Sequence, residues 1–491
     1  MSRRFRAPAG NGEVLADPPF SEVPRLVEEN RRRLNRADVV VGGLPLRELR
    51  ALARREALEL AQSPGTAVPG LSPDGPLLLA GHQPELTHPG VWVKNFALNG
   101  LASRLGGVPL NLIVDTDTLK STSIRIPCPD DRDPRAVQLD SLAFDSSEGE
   151  VPFEDRGVND WVRFGGFART FAHRVLDFWP YEALLWSAWP KVIRDPEGSA
   201  LIGERFTAVR SQYEREWGCT NLELRVSRLS QAEAFRTFAR HILADLPRFA
   251  VVYNTAIRAY RRANRISSAN HPAPELAEGE APFWVRTGTD GRRARATTAS
   301  DPTQLRPRAL TLTLFARVCL GDFFIHGIGG GKYDEVTDAI IRDYFGLEPP
   351  AYQVLSATLH LPLPGLPATG DDAARQAKLV RDLHWNPQRH LTPENARRGE
   401  VAVLLATRDA LVAAEPEHGA HAKRRGWFRA LQSVTERLRP FVEEQVPRAE
   451  GELERMRAEA AANAVLRRRD YSWVLYPEET LRPFLQRFLD V

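Results

Sequence analysis

Three short segments put chemistry-bearing side chains where an apolar run gives way to a helical pattern. The first reads Gly81-His82-Gln83-Pro84-Glu85, continues with His88-Pro89-Gly90 and reaches Lys94. His82 and His88 suit proton transfer, or hydrogen bonding to a transferring anion, because imidazole changes charge near neutral pH. A helix starting after this loop offers unpaired N–H groups and positive partial charge to the same anion, and Lys94, about one turn in, reaches back towards it. The structural reading of the same residues is that the histidines satisfy loop backbone and Pro89-Gly90 shapes the turn.

The second segment, Asp115-Thr116-Asp117 followed by Lys120, sets two carboxylates two residues apart. Such a pair binds a metal, a ribose or an amine, or acts as a base, with Lys120 as counter-charge; it equally caps a turn or a helix. The third, His326-Gly327-Ile328-Gly329-Gly330-Gly331-Lys332, places four glycines between an apolar run and a helix. Gly329, Gly330 and Gly331 let backbone N–H groups approach a phosphate, and Lys332 adds charge. The segment matches neither standard nucleotide loop: the G-x-x-x-x-G-K-S/T spacing fails, with Tyr333 at the hydroxyl position, and no G-x-G-x-x-G fits.

Arg306 and Arg308 flank Pro307 upstream, as a clamp for a carboxylate or phosphate or as solvated surface. Cys319 reads as a buried helix residue, and no serine-hydrolase, zinc-protease or kinase signature occurs. His241, His271 and His418 lack ligand spacing, so no metal site is expected. Of the 66 basic residues only six are lysine, and Lys94, Lys120 and Lys332 fall inside the three segments. Lysine is a compact point charge and arginine a planar fork, so a retained lysine marks a place where that shape counts.

The elements that must position these residues follow from periodicity. An amphipathic helix is expected over 44–62, then a Pro/Gly linker, a buried strand over 76–80, a loop over 81–90, a helix over 91–105 and a second buried strand over 108–114. That is the elementary unit of a parallel α/β sheet. Residues 128–300 read as a mostly helical insertion, with helices over 161–185, 200–217 and 231–244, a strand over 249–253 and loops over 271–280 and 288–297. The core resumes with a helix over 309–319, a strand over 322–326, a glycine loop over 327–331, a helix over 333–345 and a strand over 352–363. The expected domains are residues 1–70 (N-terminal wrapping segment), 71–127 (first part of the core), 128–300 (insertion), 301–370 (second part of the core), 371–470 (two long antiparallel helices) and 471–491 (C-terminal packing segment).

The bulk numbers exclude more than they assign. The 491 residues, 43% hydrophobic and 26% charged, are ordinary for a globular chain. A net charge of +3 gives no basic face for nucleic acid. Three scattered cysteines without a C-x-x-C pair suggest neither zinc nor disulfides and fit the cytoplasm. No signal peptide or membrane-spanning run is read.

Together the three segments resemble the BshC-type family, the cysteine-adding ligases of bacillithiol biosynthesis. That family's T-G-Q-Q segment, G-P turn and helix lysine are similar to Leu79-Ala80-Gly81-His82-Gln83, Pro89-Gly90 and Lys94. Its acidic cluster at a strand end is similar to Val114-Asp115-Thr116-Asp117. Its L-R-P stretch and later glycine loop are similar to Leu305-Arg306-Pro307 and residues 325–335. His82 stands where the family has Gln, and the acidic cluster lacks its His. The His-Gln-Pro spacing is also similar to the opening of the WbqC-like family. The resemblance implies a Rossmann-like core akin to nucleotidyltransferases, helical insertions, a C-terminal coiled-coil hairpin that supports a homodimer, and joining of cysteine to an amino sugar attached to malate.

The expectation is therefore an α/β enzyme, a ligase or transferase joining an amine or thiol nucleophile to a small sugar- or phosphate-bearing partner. His82, His88, Asp115 and Asp117 are its candidate catalytic residues. Gly81, Gln83, Lys94, Lys120, Arg306, His326, Gly329, Gly330, Gly331 and Lys332 are its candidate binding residues, with ATP or ADP as the candidate cofactor. The alternatives are a non-catalytic, dimeric nucleotide-binding scaffold and a nucleotidyltransferase.

Overall fold

The computed structural model describes residues 5–61, 75–130, 136–147, 149–175, 178–194, 198–287 and 292–491. The expected Pro/Gly linker lies outside them over 63–74, and so do residues 288–291. The chain is a mixed α/β protein that divides into two compact units. Met1–Ile126, Ser141–Pro362 and Arg469–Val491 form the first; Pro127–Asp140 and Leu363–Arg468 form the second.

The first unit is built on one six-stranded sheet. Its strands are β1 (Val14–Asp17), β2 (Leu77–His82), β3 (Val108–Ile113), β4 (Leu222–Arg225), β5 (Phe323–His326) and β6 (Gln353–Ala357). They lie in the order β1-β6-β5-β2-β3-β4. β2 to β6 run parallel, and only β1 is antiparallel, pairing Val14 with Ala357 and Asp17 with Val354. The apolar runs of β2 and β3 are continuous rather than alternating because parallel strands are covered on both faces. Leu77 and Leu79 join the core cluster that holds Leu49 and Ala53 of α2 (Leu46–Ala61) and Ile340 of the helix Ile328–Phe345. Leu78 and Ala80 turn to the opposite face, as strand geometry requires. There α3 (Pro89–Arg104) lies, entered by proline in its first turn and buried on almost every side. Trp92 packs at a tilt against Trp217 at 5.4 Å and Trp473 at 4.9 Å, so the segment around Trp473 covers this helix.

Five local readings are corrected. Residues 249–253 are not a strand but lie inside the helix Leu246–Asn264, with Phe249, Tyr253, Ala256, Ile257 and Tyr260 buried at helical spacing. Residues 292–297 are not a loop; Arg292–Thr297 pairs antiparallel with Glu280–Thr287, which pairs in turn with Leu305–Pro307. The first 40 residues of the expected wrapping segment contain strand β1 and helix α1 (Val23–Arg36). The stretch read as a helical insertion contributes β4 to the central sheet. The glycine run is not a loop: the helix there starts at Ile328 and extends to Phe345, with Gly327 as its N-cap and Gly346 as a left-handed C-cap.

In the second unit the two long helices resolve into four, Gly370–Trp385, Gly399–Ala413, His421–Leu438 and Gln445–Leu466. Leu411 meets Trp427 (Nε1 to carbonyl, 2.6 Å), and Val401 and Leu404 share a core with Val434 and Leu438, so the middle two run antiparallel. Gln376 donates to the Ala449 carbonyl at 3.0 Å, and Asn463 to those of Leu366 and Ala368, so the outer two do as well. Pro440 sits in the one-turn break between helices, while Pro447 lies in the first turn of the last helix and does not interrupt it. Among the described residues no helix is long and apolar enough to cross a membrane.

Candidate functional site

Chain order explains where a ligand would meet the first unit. From β2 the chain steps outward through β3 to β4; β5 then returns to the other side of β2 and leads to β6. The strand order reverses between β2 and β5. In open parallel sheets the crevice outside the carboxyl ends at such a reversal is the usual ligand site. His82 ends β2 and lies level with Ile113 of β3, while Ile325 of β5 lies level with Ala80. The three chemical segments thus leave one edge of the sheet from three adjacent strands, about 4.8 Å apart.

The first segment makes a buried electropositive corner. Lys94 is only 3% exposed, and its Nζ donates to the Gly81 carbonyl at 2.9 Å. No carboxylate among the described residues pairs with it, and burial lowers its pKa to about 8. His82 sets Nδ1 2.9 Å from the Gln83 carbonyl. A carbonyl can only accept, so Nδ1 carries the hydrogen and Nε2 keeps its lone pair. Burial, then the charge of Lys94, pull the His82 pKa down to about 3. His88 is the N-cap of α3 without a capping bond, and its Nδ1 is buried without a partner. Burial, then Arg469, lower its pKa to about 4. Arg469 itself donates to Ser356 Oγ at 2.6 Å and to the Ala357 carbonyl at 2.9 Å. The start of α3 is pressed so tightly here that a Cβ at Gly90 would lie 2.1 Å from that carbonyl. At neutral pH the corner holds two neutral imidazoles and one ammonium at a helix N-terminus.

The acids divide. Asp117 accepts from Gln83 Nε2 at 2.8 Å and from its neighbour Thr118 N–H at 2.8 Å, with Arg293 at 3.8 Å. It is therefore tied to the first segment. Asp115 is buried and accepts from the Ser227 N–H at 2.8 Å and from the Ser227 hydroxyl. Burial raises its pKa against those bonds. Its hydrogen bonds lead to the short helix after β4, not to His82. Lys120 is exposed and acts through space on Glu85, whose carboxyl is raised by burial.

The third segment is committed to its own surroundings. His326 stacks on Phe324 at 4.2 Å, meets Tyr352 edge-on at 5.2 Å and holds Nε2 2.6 Å from Asp334 Oδ2. Asp334 also receives Arg317 Nη1 at 2.9 Å. Burial would raise the Asp334 carboxyl, but Arg317 and His326 outweigh it and hold it low. Gly330 and Gly331 serve packing: a Cβ at Gly331 would lie 2.3 Å from Val354 Cγ2, and one at Gly330 2.8 Å from His326 Nδ1. Gly329 faces open space, and Lys332 is half-buried with no hydrogen bond or ion pair to the described residues. Arg306 does clamp a carboxylate, but it is the chain's own Glu154, with Nε at 2.9 and 3.0 Å from its two oxygens.

The sequence reading missed a buried polar network behind His82. Arg210 of α4 (Ile202–Glu216) donates to Glu214 Oε2 at 2.5 Å and to Glu223 of β4. Glu214 also accepts from Trp92 Nε1 at 2.5 Å and Asn95 Nδ2 at 2.7 Å. The i,i+4 spacing of Arg210 and Glu214 was the one local signal, and it is common on exposed helices. No group of three or more His, Cys, Asp or Glu side chains able to hold a metal occurs among the described residues. No protein-family model matches the chain, and no curated protein matches it.

Proposed function

We propose that the first unit is a Rossmann-like ligase or transferase of the kind the BshC-type resemblance suggests. It would join an amine or thiol nucleophile to a small partner bearing an anionic group. The observation that carries this reading is Lys94: a buried ammonium without a carboxylate, beside two imidazoles, at a helix N-terminus where the strand order reverses. A buried uncompensated charge is costly, and a bound anion would offset that cost. In this reading Lys94, at the start of α3, holds a phosphate or carboxylate. His82 Nε2 takes or returns a proton, and Asp117, oriented by Gln83, receives the amine. A nucleotide such as ATP or ADP is the natural source of the anion, and the helix that begins at Ile328, with Lys332 in its second turn, is the natural place for a second anionic group.

Thermal-shift measurements with ATP, ADP, inorganic phosphate, amino acids and sugar phosphates test it. Stabilisation by an anionic ligand that is lost in Lys94→Ala supports the reading; equal stabilisation of both proteins overturns it. Once a turnover assay exists, His82→Ala should lower the rate by about 10²–10⁴ with the fold retained.

A second reading is a nucleotide-binding homodimer without catalysis, resting on a coiled-coil hairpin in the second unit. It is favoured by the saturation of His326, Arg306 and Asp115 by partners within the chain, and by exposed Val403, Phe428 and Trp385 on the second unit's helices. It predicts ligand-linked stabilisation without turnover and a sedimentation coefficient that falls with dilution.

A further inference from the structure

A cavity of about 520 Å³ lies beside β4, between that edge strand and α4. Its volume is within the range of about 300–1,000 Å³ of small-molecule sites. Phe153, Leu201 and Leu222 give it apolar wall, and five carboxylates also line it.

The charges of those carboxylates do not balance. Glu154 is matched by Arg306, and Glu204 by Arg225. Glu214 and Glu223 share the single guanidinium of Arg210. Asp115 accepts hydrogen bonds from the N–H and O–H of Ser227, and the cation acting on it is Arg225, which also pairs with Glu204. The other two cations of the wall, Arg215 and Arg228, are solvent-exposed. The lining also carries acceptors with nothing to accept: Asn221 Oδ1 and Thr207 Oγ1 are buried without a partner, and the Asn221 nitrogen is already used on the Asn95 carbonyl at 2.8 Å. A metal would neutralise the excess, but no three ligating side chains converge among the described residues.

We propose that this cavity binds a small organic cation, a primary ammonium on an apolar body. The ammonium meets the excess charge of Glu214, Glu223 and Asp115, and the body lies on Phe153 and Leu222. The proposal concerns binding alone and stands whether or not the chain turns over a substrate.

Calorimetric titration of the full chain near neutral pH with n-butylamine, n-butanol and butyrate tests it. Butylamine should bind saturably, with butanol and butyrate weaker by about tenfold or more. Ala208 lines the cavity, and Ala208→Phe, which puts a ring in the amine's place, should abolish the amine signal. If that variant does not fold, Glu223→Gln should weaken butylamine by about tenfold and leave butanol unchanged. Absence of saturable amine binding, butanol or butyrate binding as tightly as butylamine, amine binding retained in folded Ala208→Phe, or unchanged amine affinity in Glu223→Gln would each overturn the proposal.

Discussion

Lys94 Nζ lies 2.9 Å from the Gly81 carbonyl, and this is the ammonium's hydrogen bond within the chain. A lysine so placed costs stability while it is charged. Its pKa is about 8 in the folded chain, below the ordinary lysine value of 10.5. The unfolded chain therefore binds more protons between those values, and stability rises with pH across that window. Lys94→Met should be more stable than the parent near pH 7, by about 2 kcal/mol, and the gain should fade above pH 10. Urea unfolding at both pH values checks this; a destabilised Lys94→Met at pH 7 contradicts the uncompensated charge.

His82 and His88 act at the acid end. Their pKa values of about 3 and about 4 lie below the ordinary 6.5. Unfolding takes up protons on both between pH 6.5 and 4, so their stabilising contribution is full above 6.5 and is lost as pH falls. The double variant His82→Gln, His88→Gln should flatten the stability curve in that window. Imidazole NMR of the parent should detect no titration of either ring between pH 5 and 8.

Gly331 packs directly on Val354. Gly331→Ala should destabilise the chain by about 1–3 kcal/mol through overpacking, although alanine is the better helix former. Val354→Ala on the same background should recover part of that loss, giving a negative coupling energy in the double-mutant cycle. Additive losses would mean that the two groups do not touch.

Arg210 bridges two carboxylates, buried Glu214 and half-buried Glu223. Arg210→Met should cost about 3–5 kcal/mol at pH 7 and less at pH 5, because burial favours the protonated form of Glu214. Equal losses at both pH values would show that the carboxylates find other partners.

How much of this is legible in the sequence depends on the range of the contacts involved. β2, β3 and α3 are readable because an unbroken apolar run and a proline-headed helix are local signals. β1 and β4 are not, being four residues each and too short to show a period. The run Phe249-Ala250-Val251-Val252-Tyr253 misleads because β-branched and aromatic residues favour strands; the decisive sign is helical spacing, with Val251 67% exposed between buried Phe249 and Tyr253. The glycines at 330 and 331 suggest phosphate because the groups they accommodate, the His326 ring and Val354, become neighbours only after the sheet forms. The bond from Gln83 to Asp117, by contrast, is of a kind the sequence anticipates, since both follow adjacent strands of one unit.

Strand β1 pairs Val14 with Ala357, and Trp473 sends its N–H to the Thr87 carbonyl. Strand β1 thus waits for a partner made hundreds of residues later, and α3 stays uncovered until Trp473 has left the ribosome. The first unit cannot mature step by step during synthesis. Nascent chains halted before residue 470 should expose Trp92 and require chaperone protection that the finished protein does not.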